Sequence, residues 1–488
     1  MFLNDGRMLN SDGRSGSIPV LPNPLPDDFT MTGFQWTQEP DGNMVGGTRN
    51  AVFDGRYLWA TAKNGQLPRI DPQNGDIQNF PIKIGSNQTL STYNSYRTLY
   101  AGGYIWLLTL HNASIIKVDP QSMEMSLVST ADGINGNSNI GTMNAEGAIY
   151  DGENAWIVSG AKLIKFNLVN ENFMGYDLPE AKIGIIHTGD SLFLFGYNGK
   201  TLIRVELSDM SISQINIPSD VLNSVGFTYT FYSGIYDGES IWLPMAEGEK
   251  ILQYTPSTGE MKGHIYQGTN LGDIPSYSKI HATLSESCVF DGRYIWTAPV
   301  ITNRILRVDT QTGAMKGYEF NGTNMGNLGA TDYKFNGIAF DGINIWLIPH
   351  KSDRLVRLSQ SGDFTYKTIK EEYLDEQGNK LKVDKSQYIL SGKAYSSAAP
   401  NISGYKITGY KLDGGSLTSG SSLTLPAVDA DHTVTFIYKK NDGNSGDEGN
   451  NSGDCCCAPN IILNNATVNI DTINVYYSCC NTNSECCK

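Results

Sequence analysis

The chain has 488 residues, with 36 Lys and Arg against 50 Asp and Glu and a formal net charge of −14. That balance argues against a nucleic-acid partner, because phosphate binding needs clustered positive charge. Hydrophobic residues make up 40% and charged ones 18%, a globular composition, and no run of about 18 apolar residues encodes a membrane-spanning helix.

The first 20 residues, MFLNDGRMLNSDGRSGSIPV, lack a basic start followed by an apolar run, so no secretory signal peptide is visible. Residues 29–36, FTMTGFQW, form the first strand candidate. A phrase of the form apolar–Asp–Gly–x–x–apolar–Trp then recurs. Its copies are FDGRYLW (53–59), YAGGYIW (100–106), YDGENAW (150–156), YDGESIW (236–242), FDGRYIW (290–296) and FDGINIW (340–346), with a degenerate HTGDSLF at 187–193. The anchor aromatics Trp59, Trp106, Trp156, Phe193, Trp242, Trp296 and Trp346 are spaced by 47, 50, 37, 49, 54 and 50 residues. A second phrase follows, clearest as RIDPQNG (69–75), KVDPQSM (117–123), QYTPSTG (253–259) and RVDTQTG (307–313).

Short alternating or β-branched runs between Gly, Asn and Asp turns predict four antiparallel strands per repeat. A four-stranded unit repeated about every 40–50 residues predicts a propeller blade. The expected fold class is therefore all-β: a seven-bladed β-propeller over residues 36–366, with residues 1–35 as a lead holding a possible ring-closing strand. Either residues 29–36 pair with the last blade, or residues 364–370, FTYKTIK, complete it. The Trp is expected to pack between neighbouring sheets. Asp54, Asp151, Asp237, Asp291 and Asp341 read as turn residues and not as metal ligands, because a site is made once while a structural need recurs in every repeat. The pattern DGxxIW…ILRVDxxTGxMKG resembles bacterial propellers of the streptogramin-lyase and NHL-like group; the resemblance implies the fold strongly and function weakly.

The period stops after residue 366. Residues 367–440 resemble the mucin-binding-protein repeat of Gram-positive surface proteins through Tyr373-Leu374-Asp375-Glu376-Gln377-Gly378, the central Gly404-Tyr405 and the closing Thr433-Val434-Thr435-Phe436-Ile437-Tyr438. The resemblance implies a small β-grasp-like module used in stalks and adhesion. Those proteins usually carry a secretory signal and an L-P-x-T-G sorting motif, and neither is seen in this sequence.

Residues 441–454, NDGNSGDEGNNSGD, read as a flexible linker. Residues 455–488 form a Cys-rich tail for anchoring or crosslinking, with short strands suggested by Val468 and Ile470, then Ile473, Val475 and Tyr477. Of eight cysteines, Cys288 stands alone; Cys455, Cys456, Cys457, Cys479, Cys480, Cys486 and Cys487 lie in the tail. Neighbouring cysteines rarely pair with each other, and seven is odd, so intermolecular disulfides follow; a metal cluster and bridges within the tail are the alternatives. Paired cysteines beside such a spacer resemble the connectors of spore appendages of Gram-positive bacteria.

The positions five residues before each Asp-Gly place are Arg49, Tyr96, Glu146, Ile183, Tyr232, Glu286 and Asn336, and they should ring one mouth of the channel. Six of them are polar or aromatic and vary between repeats, as a single asymmetric ligand site requires; a solvated mouth without ligand is the alternative. Tyr93, Tyr229, Phe231, Tyr277 and Tyr333 in the feeding loops suit sugar rings or a protein interface. The six histidines form no metal or catalytic pair, and no catalytic residue, metal or cofactor is expected.

The expected protein is thus a non-enzymatic adhesin at a cell or spore surface. Its head would bind a glycan or surface protein, and its tail would join filament or coat subunits. A phage tail fibre or tip protein, and a metal-assisted lyase or hydrolase of the streptogramin-lyase type, are the alternatives.

Overall fold

Each repeat alternates apolar and polar residues between tight Asp-Gly and Gly turns, so it folds as an antiparallel meander. The computed structural model describes residues 24–441 apart from 38–49, 86–87, 92, 110–113, 131–142, 197–198, 223–230, 246–249, 273, 275–283, 300–301, 329–333, 361–365 and 403. Arg49, Tyr229, Tyr277, Tyr333 and the whole Cys-rich tail lie outside the described residues.

Among these residues, seven sheets of four or five strands form the blades. Their inner strands are Ala51–Phe53, Arg97–Ala101, Gly147–Tyr150, Gly184–His187, Ile235–Tyr236, Leu284–Phe290 and Phe335–Phe340. Each packs beside the next, and Phe335–Phe340 packs beside Ala51–Phe53, which closes a ring. We number the blades 1 to 7 in that order.

The six repeat tryptophans are at most 1% exposed, and each sits in a core shared with the following blade. Trp59, for instance, packs with Ile105, Leu107 and Ile116 of blade 2, and Trp346 packs with Ala51 and Leu58 of blade 1. Stability therefore lies between blades: an isolated four-stranded sheet leaves its indole face in water.

The ring closes through the N-terminal strand. Thr30–Gln35 is the outer strand of blade 7, antiparallel to Arg354–Ser359 in a register running from Thr30↔Ser359 to Gln35↔Arg354. Of residues 364–370, the described ones, 366–370, take no part in that sheet. Tyr366–Asp375 instead starts the module, pairing antiparallel with Lys380–Leu390 and parallel with His432–Lys440. The N-terminal lead is strapped across blade 6: Leu25 is fully buried, its N–H donates to Asp291 Oδ2 at 3.1 Å, and Asp27 pairs with Arg307 at 2.5 Å and Lys316 at 2.9 Å.

The module is a five-stranded sheet in the order Lys380–Leu390, Tyr366–Asp375, His432–Lys440, Tyr405–Leu412, Thr418–Ser419, with the paired strands Tyr395–Ala398 and Ser422–Leu425 beside it. First and last strands lie parallel at its centre, the arrangement of a β-grasp-like sheet, although it carries no helix among the described residues. Its core gathers Ile369, Tyr373, Tyr395, Val428, Val434, Phe436 and Tyr438.

Candidate functional site

The meander sets which end of the ring is variable. Turns from inner to second strand, and from third to outer strand, are short and lie on one face. The connections from second to third strand, and from each outer strand to the next inner one, leave from the opposite face. This second face also holds the entry ends of the inner strands.

A cavity of about 120 Å³ runs where the inner strands converge, lined by residues from all seven blades. Most of the lining is Ile, Ala, Gly and Phe; the polar groups are Asn50, Arg97, Glu146, Tyr232 and Ser233, with the thiol of Cys288. Ligand pockets usually enclose about 300–1,000 Å³, so this cavity is small for a drug-sized ligand.

Of the seven predicted mouth positions, Glu146, Ile183 and Tyr232 line the cavity. Tyr96 does not. It lies under the Arg97 guanidinium, 5.3 Å from the ring centroid, and Arg97, one position on, reaches the cavity and donates from Nε to the Glu146 carbonyl oxygen at 2.8 Å. Asn336 is also absent from the lining: it is 6% exposed, and its amide lies 3.3 Å from His350 Nδ1. The cause is a register shift between Phe335 and Gly337, which breaks the two-residue alternation that the spacing assumed. A similar shift between Leu284 and Cys288 falls across Glu286. Two of the loop aromatics are core residues: Phe231 is fully buried in the core shared by blades 4 and 5, and Tyr93 packs between blades 1 and 2, donating its phenol to the Leu107 carbonyl at 3.1 Å.

The cavity's polar groups are held by the fold. The Asn50 side chain takes both backbone groups of Thr98 at 2.9 Å and so ties blade 1 to blade 2. Burial raises the Glu146 carboxyl above its ordinary range, with Arg97 opposing. Cys288 accepts a hydrogen bond from Ser233 Oγ at 3.2 Å, and burial pushes its thiol up to about 12, so it stays protonated and weakly nucleophilic at neutral pH. Sequence spacing missed Arg97, Asn50 and Ser233. The available signal for Arg97 was a charge opening the strand RTLYA, which carries no other charge. Among the described residues no group of three or more His, Cys, Asp or Glu could hold a metal ion, and no helix is long and apolar enough to cross a membrane.

No curated protein matches the chain. Solved structures similar to it include the extracellular domain of a hybrid two-component system from B. thetaiotaomicron, 16% identical over 76% of this chain and 46% of that one, with a TM-score of 0.47. The chain thus spans under half of that protein. The WD40 domain of Neurospora crassa Pan2 is 7% identical, covering 70% of this chain and 98% of that one, with a TM-score of 0.48. The propeller architecture rests on the seven sheets and their closed cycle rather than on these likenesses. Residues 368–439 match the family model of the MucBP domain, so the strands from Tyr366–Asp375 to His432–Lys440 form a module of a type that points to a surface adhesion protein.

Proposed function

We propose that the protein is a non-enzymatic surface recognition protein. Its propeller head binds a glycan or a surface protein through the face bearing the inner-strand entries and the long connections. The MucBP module spaces the head, and the seven tail cysteines join the chain covalently to a filament, spore coat or similar assembly. The observation that carries this reading is a MucBP module following a propeller in one chain. The cavity supports it as well: small beside the usual ligand pocket, it favours the loop face around the mouth as the contact surface.

Electrophoresis of the purified chain with and without reductant tests the tail. A ladder that collapses to monomer on reduction is expected; monomer in both lanes, with zinc found by elemental analysis, overturns the anchoring role. A glycan array tests the head, with Tyr232→Ala, Glu146→Ala and Glu286→Ala expected to weaken any hit. No loss with any of the three removes the mouth as the site, and Mg2+-dependent turnover would replace binding by lyase chemistry.

A further inference from the structure

Most blades cover the open edge of their outer strand. In blade 6, Gly268–Thr269 adds a parallel fifth strand against Met315–Glu319. In blade 7, Gly33 N–H donates to the Thr323 carbonyl at 2.9 Å, and Thr323 N–H to the Met31 carbonyl at 3.1 Å. In blade 5 the helix Ser219–Leu222 packs on Glu260–Ile265, and in blade 2 the strand Lys83–Ile84 packs on Met125–Ser129. In blade 1 the outer strand Ile77–Pro81 is touched only through a side chain among the described residues, Asn79 Nδ2 donating to Thr37 Oγ1 at 2.8 Å, and it ends on Pro81, which has no N–H to offer an added strand.

Blade 4 differs. Its outer strand Ile212–Asn216 is exposed except for half-buried Ile215. The bonds Glu206 N–H to Ser211 O and Ile217 N–H to Lys200 O fix which groups face the third strand. Residues 211, 213, 215 and 217 bond inward, so Ile212, Gln214 and Asn216 direct their N–H and C=O outward, with no partner among the described residues. Residues 211–217 read SISQINI, with no charge and no Pro, the devices that usually protect an edge. The long module edge Lys380–Leu390, by contrast, carries Lys380, Lys382 and Lys385.

We propose that the outer edge of blade 4 accepts residues 472–477 of the tail of a second copy as an added strand. This rests on reading the tail as an intermolecular segment, and it names where that segment docks. Residues 472–477, TINVYY, are uncharged and alternate Ile473, Val475 and Tyr477 with polar or aromatic neighbours, the pattern of a strand with one apolar face. At six residues they are one longer than the five-residue strand Ile212–Asn216 and would extend the apolar row of Ile215 and Ile217. Residues 441–471 separate them from the module, a tether long enough to reach a neighbouring chain. Backbone pairing supplies affinity, and the apolar row sets register.

The test uses the full chain in excess reductant, so that disulfides play no part. Hydrogen exchange should show the amides of Ile212, Gln214 and Asn216 protected at least tenfold at concentrations where light scattering finds dimers or larger species. That protection should fade on dilution and be lost in Val475→Pro. Gln214→Pro removes an outward N–H without touching the bonds to the third strand, and Ile212→Lys adds a charge to the edge; both should abolish association with the thermal transition retained. Fast exchange in the associated wild-type chain overturns the proposal. So does protection independent of concentration, which would assign the edge to the chain's own tail. A disulfide ladder without reductant, together with fast edge exchange, would leave the anchoring reading standing and sink this one alone.

Discussion

The repeat phrase encodes one three-part unit. In five blades the Asp after the inner strand accepts two backbone N–H bonds on Oδ1 and the indole N–H of the following Trp on Oδ2, at 2.6–2.8 Å for the indoles of Trp59, Trp156, Trp242, Trp296 and Trp346. In blade 2, Ala101 replaces the Asp and its backbone carbonyl takes the Trp106 N–H at 3.0 Å. In blade 4, Phe193 replaces the Trp and has no N–H to satisfy. On the third strand a cation lies directly across from the aromatic in six blades: Arg69, Lys117, Lys165, Arg204, Arg307 and Arg357. Each sits over a ring, as Arg307 does at 4.0 Å from Tyr294 and 5.6 Å from Trp296. The Asp is therefore more than a turn residue: it also completes the buried indole. Burial raises the Asp341 carboxyl, opposed by the Asn344, Trp346 and Ile343 donors. Asp341→Ala strands these buried donors and should cost about 2–3 kcal/mol in urea unfolding, with Asp341→Asn costing less. In blade 5, Gln253 holds the cation's place and His264 stacks on Trp242 at 5.1 Å, bonded to Gln253 at 2.8 Å. Burial, then the nearby Lys262, lowers the His264 pKa. The neutral ring's contribution is therefore full above pH about 6.5 and is lost as pH falls through the lower folded value. Melting temperature against pH should fall below that point, and His264→Phe should flatten the slope.

At the scale of elements, close backbone approach explains where outer strands carry Gly. A Cβ on Gly33 would lie 2.3 Å from the Asn324 carbonyl oxygen, and one on Gly317 would lie 2.3 Å from that of Asn270. In both places the motif Gly-Thr-Asn runs along the neighbouring edge, with Asn270 and Asn324 each at φ 55°. The module is organised around a charge instead. Glu371, 1% exposed, accepts from the hydroxyls of Tyr373, Tyr395 and Ser397 and pairs with Lys385 at 3.2 Å. Burial opposes ionisation, but Lys385 and the three hydroxyls outweigh it and hold the carboxyl below its ordinary range. That contribution is present above pH about 4.3 and is lost as pH falls through the depressed folded value. Glu371→Ala leaves Lys385 and three hydroxyls without their acceptor and should cost the module about 3–5 kcal/mol, read from its tyrosine signals in near-ultraviolet circular dichroism; Glu371→Gln should cost less.

For the molecule as a whole, closure makes the ring one cooperative body. Thr30–Gln35 pairs with residues more than 300 positions away in sequence, a long-range pairing that locks the ring. Deleting residues 1–35 bares the edge of Arg354–Ser359 and removes the Asp27 pairs with Arg307 and Lys316. The expected result is aggregation on size exclusion and loss of a single sharp calorimetric transition; retention of both would overturn the role given to this strand.

Local patterns made the blades legible, because a blade is built from turns and strand pairings within about 50 residues, and each Asp-Gly-x-x-apolar-Trp copy restates the same steric and hydrogen-bonding need. The module was legible through its resemblance to a known repeat, carried by opening and closing strands that pair across 63 residues. Which strand closes the ring, which mouth residues reach the cavity and which edge stays open were decided by tertiary structure. Ring closure depends on a pairing between chain ends. The mouth depends on register shifts at Phe335 and Leu284 that no repeat spacing records, and they leave Asn336 out while Arg97 enters from the neighbouring position. Among the described residues nothing pairs with the outward groups of Ile212–Asn216, a fact of packing between repeats rather than within one.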